Sequence, residues 1–214
     1  MQAEKSPPLS PQETLRLISQ GRAEARRKLG GSPLLLYVPW GLAWLLGLGA
    51  MFLRNGPDGR VFVDMPEFLP RVILFGVMAI ALLINVLGVY RGNRGLSGRS
   101  SEQGLMYGLA WMLGMTGVAA ITGSLARFLP YSHQELAWTA LITAAVGILY
   151  LAGAAVWTDW RVFVFGGWLI VSDMAGVWAG PGWHSLVVAL AGGGGLIVFG
   201  VVLEIRSRMT RDGH

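Results

Sequence analysis

The sequence predicts an all-α membrane protein, a bundle of six transmembrane helices built from repeated helical hairpins. Hydrophobic residues make up 53% of the 214 positions and charged residues only 14%, against roughly 25% charged in an ordinary soluble domain. Six apolar stretches are long enough to cross a bilayer, and basic residues are concentrated in alternate connecting segments. One membrane domain therefore accounts for most of the chain.

The six spans follow from length and hydrophobicity, because a bilayer core of about 30 Å needs about 20 apolar residues at a rise of about 1.5 Å each. They are Pro33–Leu53, Val72–Tyr90, Leu105–Ala126, Leu136–Trp157, Trp160–Ala179 and Ser185–Leu203. A secretory signal would place a short apolar run in the first residues, where this chain is polar and charged. The predicted organisation is a segment over residues 1–32, a six-helix domain over 33–204 and a tail over 205–214.

The distribution of lysine and arginine predicts the orientation. Thirteen of these 17 residues flank the spans on the amino-terminal side of the membrane, and four lie on the other side: Arg54, Arg60, Arg71 and Arg127. Since basic residues are retained in the cytoplasm, both termini are expected there. Lysine occurs only at positions 5 and 28, a usage typical of high-GC bacterial genomes, so we expect the inner membrane of a bacterium.

The segment before the first span contains a helix start signal. Ser10-Pro11-Gln12-Glu13 has an N-cap, a proline at the first helical position and a glutamate that completes a capping box. Apolar residues then recur at helical spacing beside several arginines as far as Leu29. This pattern predicts a short basic amphipathic helix bound to anionic lipid headgroups, or else a partly disordered tail whose charges only enforce topology.

An internal repeat relates the first and third spans. Residues 41–47 match residues 108–114 at six of seven positions, at an offset of 67 residues. A weaker match at Gly167-Trp168-Leu169 extends the pattern to the fifth span. We therefore predict helical hairpins related by an axis along the membrane normal; the alternative is chance similarity among common membrane residues.

Asp173 is the one acidic residue predicted to lie well inside a span. It follows Trp160 by 13 residues, so it lies roughly 20 Å along its helix, in the outer half of the bilayer. Glycines at positions 166, 176 and 180 share its face, which indicates that Asp173 faces the bundle. It is a candidate proton or cation site, or else a protonated structural hydrogen-bonding group, and no basic partner is expected within the spans.

Polar residues on other spans are candidates for the same pathway. Together with Asp173, the candidate transport site comprises Asn85, Thr143 and Tyr150. Thr139, Gly147 and Ala154 continue the stripe on the fourth span, although such residues more often join helices. The four consecutive glycines at 192–195 predict close helix packing, with a broken, site-forming helix as the alternative.

Enzyme and cofactor signatures are absent from the sequence. It has no cysteine, no metalloprotease motif, no nucleophile elbow and no phosphate-binding loop, so neither catalysis nor a cofactor or metal is expected. His133 and His184 fall in predicted outer loops and are interpreted as solvated interfacial histidines; the alternative is a ligand pair for haem or a metal. The arginines flank spans instead of forming a stripe with stacking aromatics, so no nucleic-acid binding is expected.

The chain resembles a group of small six-helix membrane proteins of actinobacteria that are often labelled transporters. The residues that carry the resemblance are Ser10-Pro11-Gln12-Glu13, Tyr37–Trp44, Met106-Tyr107-Gly108 with Trp111, Gly153–Trp157 with Asp159, and Ala189-Leu190-Ala191. The resemblance implies the six-span topology and a transport function, and no site residues. The function expected is small-solute or proton-coupled transport, with a homo-oligomer or another membrane protein as partner; the alternative is a non-catalytic accessory or regulatory subunit.

Overall fold

A computed structural model describes residues 10, 12–13, 32–92 and 99–212. Within these residues all regular structure is helical: α1 is Pro33–Arg54, α2 Leu69–Gly92, α3 Arg99–Ala126, α4 Tyr131–Trp157 and α5 Trp160–Ala179, followed by α6 (Trp183–Val187) and α7 (Gly195–Asp212). A π-helical segment, Val188–Gly194, joins α6 to α7, so that these three pieces form one continuous sixth span. In the described part of the chain six helices are thus long and apolar enough to cross a membrane, which confirms the six-helix bundle.

The spans alternate in direction, and this gives the bundle two ends. At the end where α1 begins, which we call the proximal end, the Ser32 hydroxyl donates to the Glu204 carboxylate on α7 at 2.9 Å. At the opposite, distal end, Asn55 follows α1 and its amide donates to Glu135 near the start of α4 at 2.7 Å. The first and last spans are therefore antiparallel neighbours.

Four spans form the centre of the bundle and two are peripheral. The buried apolar core comes from α1, α4, α5 and the sixth span: Trp44, Leu48, Met51, Val146, Phe165, Leu169, Val188, Ala189 and Leu196. About a third or more of each of these spans is buried, whereas 6% of α2 and 11% of α3 are. The main packing partner of α2 is α1 and that of α3 is α4. Most of the surface of α2 and α3 is thus left for lipid.

The glycine-rich part of the sixth span packs directly on α1. A Cβ atom built at Gly193 would lie 2.8 Å from the backbone nitrogen of Leu45 and 2.9 Å from the carbonyl oxygen of Gly41. One built at Gly41 would lie 2.6 Å from the carbonyl oxygen of Gly193. The predicted close packing is confirmed, and three of the four glycines, 192–194, also fall in a segment wound as a π-helix, a feature that often marks functional sites.

The connection between α5 and the sixth span is a three-residue turn held against the α1–α2 loop. Gly180 and Gly182 have φ angles of 92° and 85°, values that an L-residue with a side chain rarely adopts. A Cβ at Gly182 would lie 2.5 Å from the backbone nitrogen of Pro57. The loop after α1 therefore covers this turn, and the side chains that follow it lie beneath the distal surface.

The amino-terminal predictions are tested only in part. The capping box is confirmed: the Ser10 N–H donates to the Glu13 carboxylate at 2.9 Å, and the Glu13 N–H donates to the Ser10 hydroxyl at 3.2 Å. The hydrogen bond from the Ser10 backbone, and then that from its hydroxyl, lowers the pKa of Glu13. The stabilisation that this carboxylate gives the folded state is present above its unfolded-state pKa and is lost as the pH falls through its lowered folded-state pKa. The predicted amphipathic helix lies outside the described residues.

The internal repeat stays a prediction. Its two seven-residue segments do occupy corresponding stretches of α1 and α3, but they differ in surroundings. Gly41 packs against backbone of the sixth span, whereas a Cβ at Gly108 would meet nothing within 4 Å. Trp44 is buried and Trp111 only half-buried. The shared residues therefore make different contacts in the two hairpins.

Candidate functional site

A buried acid–base pair occupies the distal half of the bundle. Asp173 on α5 and His184 on α6 are 5% and 1% exposed, and Asp173 Oδ1 lies 2.8 Å from His184 Nε2. Gly176, one turn beyond Asp173, makes room for the ring, because a Cβ there would lie 2.8 Å from His184 Cδ2. The expectation that Asp173 faces the bundle thus agrees with its position in the structure.

Two predictions about histidine and about the partner of Asp173 are wrong. His184 does not lie in a solvated loop, because the tight turn after α5 returns the chain into the bundle within four residues. It is the basic partner that was not expected inside the spans. His133, by contrast, is exposed as predicted, although it lies in the first turn of α4 and not in a loop.

Thr139 on α4 connects this pair to a second element. Its hydroxyl oxygen lies 2.9 Å from His184 Nδ1 and 2.9 Å from the carbonyl oxygen of Glu135, one turn earlier. Thr139 is 9% exposed. Three side chains from three helices therefore form one hydrogen-bonded chain, Asp173–His184–Thr139.

The direction in which the Thr139 hydroxyl donates determines how many protons Asp173, His184 and Thr139 hold together. When this hydroxyl donates to the Glu135 carbonyl, it accepts from His184 Nδ1–H, and the Nε2···Oδ1 contact then holds one further proton. These three side chains together are neutral in that state. When the hydroxyl instead donates to Nδ1, the ring carries its only proton on Nε2, and the unit with Asp173 bears one negative charge. The two states therefore differ by one proton and one unit of charge.

Glu135 forms the neighbouring branch of the polar cluster. Its carboxylate accepts from the Asn55 amide at 2.7 Å and from the Ser185 hydroxyl at 3.3 Å. Ser185 adjoins His184 in sequence and is buried. Because a carboxylate accepts about four hydrogen bonds in all, Glu135 retains capacity for a further donor or cation.

A cavity of about 640 Å³ adjoins this cluster on the side of α2 and α3. Glu135, Thr139 and Thr143 form its polar wall on α4. The rest is mainly apolar and comes from α1, α2, α3 and α4: Trp44, Leu48, Met51, Leu74, Phe75, Met78, Met115, Ala119, Trp138 and Ile142. Its volume lies within the range of about 300–1,000 Å³ typical of small-molecule sites.

The other predicted site residues are only partly brought together. Thr143 is buried in the cavity wall, one turn from Thr139. Asn85 lies elsewhere, where its amide donates to the carbonyl oxygens of Leu35 and Ala81 at 3.2 and 3.1 Å. Tyr150 packs in an aromatic cluster with Tyr37, Trp111 and Phe165, toward the proximal end. Asn85 and Tyr150 thus join helices, and neither lines the cavity.

Comparisons with known proteins leave the site to be interpreted on its own chemistry. No family model matches the chain, and neither a curated protein nor a solved structure matches it. Within the part of the chain that the structure describes, no group of three or more histidine and acidic residues is arranged to hold a metal ion. The site thus comprises the hydrogen-bonded pair of Asp173 and His184, the Thr139 hydroxyl and the Glu135 carboxylate, beside a mainly apolar cavity.

Proposed function

We propose that this protein is a proton-coupled transporter of small solutes, in which Asp173 and His184 hold the coupling proton. The observation that carries the proposal is the continuous hydrogen-bonded path from this buried pair through Thr139 to the cavity wall. Ionisable groups inside a membrane domain are costly and mark proton or ion pathways. A cavity beside such a pair provides the place where a solute and a proton influence each other.

The path supports a balanced proton transfer. The proton on His184 Nδ1 passes to the Thr139 oxygen while the original hydroxyl proton leaves to a water molecule in the cavity. The hydroxyl then donates to Nδ1, and Nε2–H donates to the Asp173 carboxylate. Asp173, His184 and Thr139 have then lost one proton, and together they have changed from neutral to singly negative. A positive charge in the cavity stabilises the second state, so solute binding and proton release are linked.

Solid-supported-membrane electrophysiology on reconstituted protein tests the proposal. Solutes of different charge and polarity are applied with and without a pH gradient, and protein-free liposomes serve as the blank. We expect current transients for at least one solute class, with an amplitude that follows the pH gradient. Silence toward every class under all gradients would contradict transport.

The orientation proposed for this transporter places both termini in the cytoplasm of a bacterium. Its support is the excess of lysine and arginine in segments on the amino-terminal side. Single cysteines at positions 60 and 96 of this cysteine-free chain test it with a membrane-impermeant thiol reagent. We expect labelling of position 60 from outside the cell and of position 96 only after the membrane is opened. The reverse pattern would overturn the orientation.

A second candidate is an accessory subunit that binds another membrane protein. The observation that favours it is the low burial of α2 and α3, whose apolar faces are available to a partner as well as to lipid. The basic segment before α1 would add contacts with anionic headgroups. Electrophysiological silence of the purified protein, followed by currents when a co-purified partner is included, would favour this function over transport by the chain alone.

A further inference from the structure

We infer that the cavity beside α4 binds lipophilic organic cations, and this assignment of a substrate class rests on the proposed transport function. Such a solute needs an apolar site with a single anionic group, within reach of the lipid phase where it concentrates. The residues that line the cavity meet each of these requirements.

The negative charge comes from Glu135. Its carboxylate is half-buried and lines the cavity, and the two side chains that donate hydrogen bonds to it are neutral, the amide of Asn55 and the hydroxyl of Ser185. These donors position the carboxylate without neutralising it. The positive charge of a solute beside it would be attracted across a medium less polar than water.

Arg71, the one basic side chain among the described residues that line the cavity, lies at its distal mouth. It is in the first turn of α2, exposed, and its guanidinium donates to the Tyr131 hydroxyl at 3.1 Å. Exposed charges interact weakly because water and salt screen them. Arg71 therefore opposes a bound cation less than Glu135 attracts it.

The apolar walls suit bulky cations of varied shape. Trp44 and Trp138 line the cavity, and indole rings attract cations that approach their faces. Met51, Met78 and Met115 line it as well, and flexible methionines adapt to ligands of different outline. α2 packs mainly on α1 and α3 mainly on α4, and little of either helix is buried. The cavity therefore lies between spans that face lipid.

Tetraphenylphosphonium and tetraphenylborate test the inference, since they share size, shape and hydrophobicity and differ in the sign of the charge. Each ion is titrated separately into protein held in lipid nanodiscs, with empty nanodiscs for subtraction, by isothermal titration calorimetry. We expect saturable binding of the cation alone. Glu135→Gln should weaken that binding about tenfold or more, whereas Arg71→Gln should leave it unchanged or tighten it.

Ala119→Phe provides a variant that does not touch the carboxylate. It fills the cavity from α3 and should abolish saturable cation binding. Equal binding of both ions by the unsubstituted protein would overturn the inference, whatever the folding of any variant. Cation binding without proton-coupled currents would support this site and contradict transport, and proton-coupled currents without cation binding would overturn the substrate class alone.

Discussion

Replacing Gly193 with alanine is expected to lower the free energy of unfolding by about 1–3 kcal/mol, the cost of overpacking a close interface. The added methyl group would meet the backbone nitrogen of Leu45 and the carbonyl oxygen of Gly41 at 2.8 and 2.9 Å. Backbone atoms cannot rotate away as a side chain can, so α1 and the sixth span would have to separate. Separation would also loosen the burial of Trp44. Reversible unfolding in mixed micelles measures this loss.

Gly194 provides the matched control. It is the next residue of the same π-helical segment, and a Cβ there would meet nothing within 4 Å. Because alanine is favoured over glycine in a helix by about 1 kcal/mol, Gly194→Ala should leave stability unchanged or raise it slightly. Equal losses at the two positions would show that the packing of the sixth span on α1 does not determine stability here.

The Asp173→Asn substitution is expected to abolish proton-coupled currents and to leave expression and thermal stability nearly unchanged. Asparagine keeps the size of the side chain and still hydrogen-bonds His184, but it holds no titratable proton. The same substitution at Asp159 is the control. Asp159 caps α5 at the proximal end by accepting from the Arg161 N–H, a function that asparagine also performs. Asp159→Asn should therefore preserve the currents.

Leucine at position 173 separates coupling from structure. It would leave His184 Nε2 buried with no partner, and an unsatisfied buried polar group costs about 1–3 kcal/mol. We therefore expect Asp173→Leu to be less stable than Asp173→Asn, with currents absent from both. Full currents in Asp173→Asn would show that Asp173 is only a structural hydrogen-bonding group.

The spans were predictable because their determinants are local. Length and apolar content place α1 and α5 within one residue of their ends. The other four spans, which are α2, α3, α4 and the sixth, begin earlier than hydropathy alone indicates, and one of these differences conceals a site residue. α4 starts at Tyr131, directly after Pro130, so Glu135 belongs to a helix and not to an outer loop.

The hydrogen-bonded centre of the site could be predicted only in part, because it depends on tertiary structure. Asp173 was recognisable because a carboxylate is costly in an apolar span. His184 followed a Gly-Pro-Gly sequence typical of an exposed turn, and only the packing of Gly182 on the α1–α2 loop places the histidine below the surface. Asn85 and Tyr150 shared the polar character of a pathway. The side of the bundle that each of their helices faces is set by neighbouring helices, which periodicity alone does not identify.

Infrared difference spectroscopy of the reconstituted protein tests most directly whether Asp173 and His184 carry an exchangeable proton. Spectra recorded as the pH is cycled should contain a carboxylic-acid carbonyl band, together with imidazole bands that shift when histidine is labelled with nitrogen-15. We predict that Asp173→Asn removes that carbonyl band, whereas Asp159→Asn leaves it in place. Spectra in which Asp173→Asn alters no pH-dependent band would contradict the account, because the buried pair would then exchange no proton with the cavity.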